Sequence, residues 1–260
     1  MTAFDYTVTD WDIREDIPAA HQRFWSRLAG PGSWWTGKER IAIAAESRAA
    51  LACKLCQTRK KALSPYAQSG ADSATETHTR DTRYSATLPE AAVDAVHRII
   101  TDQSRITRRF VEENAANSQD GLSKGAYVEL VGLVVAIFSI DEFHRALGLP
   151  VESLPEAPPG EITRYQPQHL NDDIGFVPTI PLDGATGPEA DLWPTGRTAN
   201  VARALTLVPD ALRDWQSLGA AQYLSFTQMA DMGQQEGRAL NRMQIETIAG
   251  RVSAINECFY

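Results

Sequence analysis

The sequence predicts an all-α protein, and three observations carry that reading. Apolar residues recur at helical spacing in one segment after another, whereas short alternating β-branched runs between turn residues do not recur. Helix start and stop residues stand at the ends of those segments: Thr36 with Glu39 three residues on, Ser123 before a long apolar stretch, and Gly148 and Pro150 after it. Nine of the fourteen prolines fall between Pro150 and Pro194, which leaves little room there for regular structure. The chain therefore divides into a helical domain over 1–150, a Pro-rich connecting arm over 151–195, and a second, partial helical unit over 196–260.

The elements follow in order. "PAAHQRFWSRL", Pro18 to Leu28, is a helix that ends before the "GPG" at Gly30–Gly32. Thr36 and Glu39 form a capping box for the next, "GKERIAIAAESRAALACKLCQTRKKAL", with a bend near the cysteines and a stop at Ser64-Pro65. The polar "SGADSATETHTRDTRYSAT" is loop. "PEAAVDAVHRIITD" and "SRITRRFVEENAA" are helical, and the segment from Ser123 to Gly148 is the most hydrophobic helix and the centre of the first bundle. The arm is expected to pack over a surface through Tyr165, Phe176 and Trp193. "RTANVARALTLV", "PDALRDWQSLGAAQYLSFTQMADM" and "NRMQIETIAGRVSAINECFY" return to helix, with Asn241 as the cap of the last.

Composition narrows the function. At 43% hydrophobic and 22% charged residues the chain is an ordinary globular protein, long enough to bury a real core. A net charge of −8, with basic residues scattered among acidic ones, argues against nucleic acid or anionic lipid as the main partner. The longest apolar run, Ala126 to Ile140, contains Glu129 and falls short of the ~20 residues that span a bilayer. It is read as a core helix, with no membrane partner. The first residues have no basic start and no apolar core, so no signal peptide is expected. Three cysteines, an odd number, then point to a reducing cytoplasm, where Cys-x-x-Cys serves redox or metal chemistry.

That motif is Cys53-Lys54-Leu55-Cys56. On a helix, positions i and i+3 share a face, so the two sulfurs can close a disulfide or approach one metal. Lys54, Arg59, Lys60 and Lys61 surround the pair, and Lys60 lies one turn after Cys56. Nearby cations lower a thiol's pKa, which favours Cys56 as nucleophile and Cys53 as the resolving thiol. The alternative is a pair of small buried residues in a core helix. No paired Cys or His spacing supplies the second half of a four-ligand zinc site, so neither a metal nor a cofactor is expected. Glu46, two turns before Cys53, is a proton relay on the cysteine face or a surface residue; Glu39 is the cap. Glu129, inside an apolar helix, is a functional acid or half of a buried ion pair. His144 shares a face with Glu129, whereas His21, His78, His97 and His169 carry no signal above background.

The long helix ending in Cys-x-x-Cys, followed after a loop by "ELVGLVVAIFSIDEFHRALGLP", resembles the alkylhydroperoxidase D-like (carboxymuconolactone decarboxylase-like) superfamily over Thr36 to Pro150. The resemblance implies an all-α bundle assembled as a dimer, trimer or hexamer. It also implies a Cys53–Cys56 dithiol that reduces hydroperoxides and is reset by a dithiol electron-donor protein. The family motif sets a glutamate twelve residues before the first cysteine and a histidine four after the second. Here those positions hold Ile41 and Lys60, so Glu46 and Lys60 are the expected substitutes.

The C-terminal segment resembles the same motif, with Glu246 twelve residues before Cys258 and "RVSAINEC" close to a common family stretch. It is read as the front half of a second repeat whose second chalcogen would fall after Tyr260. A lone thiol, a shortened reading frame, or a stop triplet read as selenocysteine each account for that. The expected function is a thiol-dependent peroxidase or disulfide oxidoreductase. The rival readings are a non-catalytic helical assembly module, and a non-redox decarboxylase or lyase with a pocket near Glu129 and His144.

Overall fold

A computed structural model describes residues 3–61, 77–81, 83–84, 88–117, 121–193, 196–229, 231–233 and 237–255. Among these residues the structure is helical, and the only β pairing is an isolated antiparallel bridge between Asn171 and Thr179. No described helix is long and apolar enough to cross a membrane.

Helix α1, Asp16–Ala29, buries Ile17, Ala20, His21, Phe24, Trp25 and Leu28, the one-sided spacing of an amphipathic helix. Helix α2, Gly37–Ala50, begins at the expected capping box. The Thr36 backbone N–H donates to Glu39 Oε2 at 2.8 Å, and the Glu39 N–H donates back to Thr36 Oγ1 at 3.3 Å. Because α2 is sandwiched, small alanines line most of it and let its neighbours approach. The bend expected near the cysteines is a complete break. α2 stops at Ala50, and a new helix, α3, runs Lys54–Lys61. The Ser64-Pro65 stop lies outside the described residues.

Helix α4, Glu90–Thr101, turns Ala92, Val93, Ala95, Val96 and His97 inward. Helix α5, Arg108–Ala116, starts at Thr107, whose Oγ1 accepts the Phe110 N–H. Helix α6, Lys124–Ala146, is the central element, as its hydrophobicity predicts, and packs against α2 and α4. At its end the Leu149 N–H donates to the His144 carbonyl and the Gly148 N–H to that of Arg145, with Gly148 at φ +71°. This is a Schellman stop, which places glycine in the left-handed region.

Among its described residues the arm carries no helix longer than the 3₁₀ turn Gly187–Glu189, as its prolines predict. Its anchors differ from those expected. Trp193 is buried, but Tyr165 and Phe176 stay exposed, and Val177, Ile180 and Leu192 fill the space instead. Arg203 fixes the arm by donating to the Ile180 carbonyl at 2.9 Å and to Asp173 at 3.1 Å.

The segment "RTANVARALTLV" is helical only over α7, Asn200–Arg203. Pro209 explains this, since the residue before a proline is pushed toward extended backbone, and Val208 has φ −127° and ψ 89°. Helix α8, Pro209–Gln222, lies across α1 and α6, so residues after the arm share the core built before it. The contact is close. A Cβ at Gly132 of α6 would stand 2.7 Å from that of Ala211 of α8. After the short α9, Phe226–Met229, comes α10, Arg242–Ile255. Asn241 Oδ1 caps it by accepting the Gln244 N–H at 3.0 Å. None of its residues is buried, and Met243, Ile248, Val252 and Ile255 face outward.

Candidate redox and metal site

The break between α2 and α3 decides where the two sulfurs point. Cys53 is the residue on which α3 begins, and its carbonyl accepts the Gln57 N–H at 3.1 Å. Its Sγ takes the place of a capping oxygen, accepting the backbone N–H groups of Cys56 and Thr79. Cys56 sits one turn into α3, so both sulfurs face α4 from a helix N-terminus. Both residues are fully buried, and both are free thiols.

Two histidines complete the cluster. His97 of α4 places Nδ1 at 3.2 Å from Cys56 Sγ. His78, on the segment before α4, places Nδ1 at 3.6 Å from Cys56 Sγ and 3.8 Å from Cys53 Sγ. The two rings lie 4.2 Å apart between centroids. Each histidine turns its other nitrogen to a carboxylate: His97 Nε2 meets Glu46 Oε1 at 3.0 Å, and His78 Nε2 meets Asp94 Oδ1 at 3.1 Å. Asp94 is held in turn by Arg59 and Arg98, each at 2.7 Å. The side chains of Glu46 and His97 are both 0% exposed.

The electrostatics follow from these contacts. Burial by itself raises the Cys56 thiol, but hydrogen bonds from His78 and His97 outweigh it and bring the thiol down to about 6. Cys53 is lowered as well, burial being overcome by the backbone N–H donors of Cys56 and Thr79 and by His78. Burial pulls His97 down, yet Cys56 and Glu46 raise it to about 9; Asp94 and the two sulfurs likewise raise His78, to about 10. The arrangement is therefore a Cys56 thiolate facing two imidazoliums, each ring oriented from behind by a carboxylate, with Cys53 Sγ beside them.

The sequence-expected residues divide sharply. Cys53, Cys56 and Glu46 come together, although Glu46 acts through His97 and not on a sulfur directly. Lys60 is exposed, and its charge acts on Asp102, so the cations beside the thiols are the imidazoles. Glu129 stands elsewhere. Its Oε2 accepts the Trp34 N–H at 2.7 Å and its Oε1 lies 3.5 Å from Arg40, the structural pairing read as one option from sequence. Burial raises its pKa against the pull of Arg40 and the backbone donors.

His144 belongs to a third place. Its Nε2 meets the Tyr6 hydroxyl at 2.9 Å, and its Nδ1 donates to the Pro150 carbonyl at 2.7 Å. Glu246, on the exposed helix α10, accepts from Arg242 Nε at 2.5 Å. Cys258 lies outside the described residues.

No family model, no curated protein and no solved structure matches this chain. The site is thus read from its own geometry. The residues that sequence reasoning missed are His78, His97 and Asp94. For His97 a signal existed, because it falls in register with Val93 and Val96 on the apolar face of "AVDAVHRII". A histidine on that face must find a polar partner inside the protein. For His78, in a polar loop, no such pattern exists.

Proposed function

We propose that this chain is a thiol-dependent oxidoreductase of the alkylhydroperoxidase type, reducing hydroperoxides through a Cys53–Cys56 dithiol–disulfide cycle. The reading is carried by the unbroken line of contacts from Glu46 Oε1 through the His97 ring to Cys56 Sγ. The family motif asks for a glutamate and a histidine at fixed spacings, which Ile41 and Lys60 occupy here. Glu46 and His97 bring the same pair of groups to the thiol from other positions.

The chemistry balances with these residues. The Cys56 thiolate attacks one peroxide oxygen; an S–O bond forms, the O–O bond breaks, and the leaving alkoxide takes a proton from the His97 imidazolium. Glu46 holds the ring so that the proton departs from Nδ1. The Cys53 thiol then attacks the Cys56 sulfenic acid, closing the disulfide and expelling water. An outside dithiol protein returns two electrons by exchange. In this reading the protein works in a reducing cytoplasm as a homo-oligomer, with the outward apolar residues of α10 as surface for a second copy to cover.

Peroxide consumption coupled to a small dithiol tests the proposal. Cys53→Ser and Cys56→Ser should each abolish turnover, and unchanged consumption in either variant would rule it out. One observation favours a second reading, a non-catalytic helical assembly module: both sulfurs are completely buried. In that case the thiols of the folded protein would resist alkylation at pH 7, whereas an active pair would react fast.

A further inference from the structure

Four ligand atoms converge at the α2–α3 break: Cys53 Sγ, Cys56 Sγ, and one ring nitrogen each from His78 and His97, all within 4.8 Å of one another. A tetrahedral zinc ion with bonds of ~2.3 Å to sulfur and ~2.05 Å to nitrogen sets neighbouring S and N atoms roughly 3.6 Å apart. Three of the four sulfur-to-nitrogen separations are 3.2, 3.6 and 3.8 Å, and the fourth lies within 4.8 Å. The set needs little movement to close on one ion.

The surroundings match as well. Both histidines present Nδ1 to the sulfurs and give Nε2 to a carboxylate, Glu46 or Asp94. Such carboxylate–histidine pairs fix the tautomer and strengthen the ring as a metal ligand. With Nε2–H donated outward, each ring that gives up its Nδ1 proton turns a lone pair inward beside the two sulfurs, so a bound cation takes the place of those protons. Two thiolates and two neutral imidazoles around a divalent ion carry no net charge, which suits a largely buried position.

We propose that Cys53, Cys56, His78 and His97 form a tetrahedral Zn2+ site in the dithiol state of this protein. The proposal uses the same dithiol as the redox reading but does not depend on peroxide turnover. If both hold, oxidation ejects the metal. Two thiolates, one hydroperoxide and two protons give one disulfide, one alcohol, one water and the freed Zn2+, each sulfur losing one electron and the O–O bond accepting both. The closed ligand set makes the ion a structural clamp between α3, α4 and the His78 segment, not a Lewis acid.

The test uses full-length protein, reduced and stripped of metal by a chelator, titrated without oxygen with Co2+ and then Zn2+. One Co2+ per chain is expected, with tetrahedral d–d bands and a thiolate-to-cobalt charge-transfer band that Zn2+ abolishes. Cys258→Ser should leave the spectrum intact, which assigns the sulfurs to Cys53 and Cys56. Asp94→Asn and Glu46→Gln keep all four ligands and should weaken binding roughly 10- to 100-fold.

Octahedral bands, absent charge transfer in the reduced protein, or binding that survives the Cys53→Ser/Cys56→Ser double variant would overturn the site. Should that double variant not fold, the charge-transfer band of the wild-type protein still decides whether thiolates bind. Metal binding without peroxide turnover would sink the redox reading alone, and turnover without metal binding would sink this one alone.

Discussion

Glu46 and His97 are 51 positions apart in the chain, yet their side chains meet at 3.0 Å with neither exposed to solvent. Glu46 Oε2 has no hydrogen-bond partner among the described residues, so His97 is what fixes this carboxylate. The pair sets the state of Cys56. In reduced, metal-free protein carrying Cys258→Ser, thiolate absorbance should rise with a midpoint near pH 6, the value to which the histidines lower Cys56. Glu46→Gln removes the charge that holds the imidazolium and should move that midpoint up by about one unit, a factor of roughly ten in thiolate at lower pH. A midpoint at the ~8.5 of a free thiol, unmoved by the variant, would refute the coupling.

Arg40 and Glu129 form a separate buried pair, with side chains 8% and 5% exposed. Arg40→Met leaves a carboxylate in the core with no countercharge and is expected to cost about 3–5 kcal/mol. Urea unfolding measures it. Replacing both partners by apolar residues should cost less than the single change, and a larger loss in the double variant would contradict this account.

The α6–α8 crossing depends on Gly132, where a Cβ would come within 2.7 Å of Ala211 Cβ. Gly132→Val should destabilise by roughly 1–3 kcal/mol through overpacking. Ala211→Gly in the same chain should restore part of the lost melting temperature. If the two changes simply add, the helices do not touch there.

His21 gives the protein an acid limit. Gln222 Nε2 donates to His21 Nε2 at 2.9 Å, and the other ring nitrogen meets the Tyr6 hydroxyl at 2.6 Å. Tyr6 then reaches His144, which donates to the Pro150 carbonyl. Every proton in this row is assigned when His21 is neutral, and an added proton would face the Gln222 N–H. Burial first, and the electrostatic influence of nearby His144 second, lower His21 to about 4. The unfolded chain binds this proton near pH ~6.5. Stability from the neutral ring is therefore complete above that pH and lost as pH falls toward 4.

Asp214 works in the opposite sense. Burial raises it to about 6 despite Arg27 and Arg40, so its contribution falls as pH rises from the ordinary carboxylate range to 6. The His21 part is isolated by comparison with His21→Gln, whose melting temperature should fall less than wild type between pH 6.5 and 4. Parallel curves would remove His21 as the cause.

Helix ends were legible wherever the signal was local. The Thr36–Glu39 box, the Ser123 start and the Gly148 stop each rest on residues within a turn of one another, and each stands as expected. The Cys53–Cys56 pair was legible for the same reason. Its partners were not, since His78 is 25 positions from Cys53 and His97 is 41 from Cys56. Lys60 shows the converse error. Nearness along the helix suggested a charge beside the thiol, but the α2–α3 break turned that side chain to solvent.

By itself the sequence determined that the chain is helical, that a proline-rich stretch without long helices interrupts it, and that two thiols stand one turn apart. Those properties rest on periodicity, fixed proline geometry and spacing, all of which act over a few residues. Only the tertiary structure decided what surrounds the thiols. Packing α4 against α2 and α3 carried His97 and Asp94 into the interior, where burial made each polar group find a partner. The same packing consigned Glu129 and His144 to separate networks of their own.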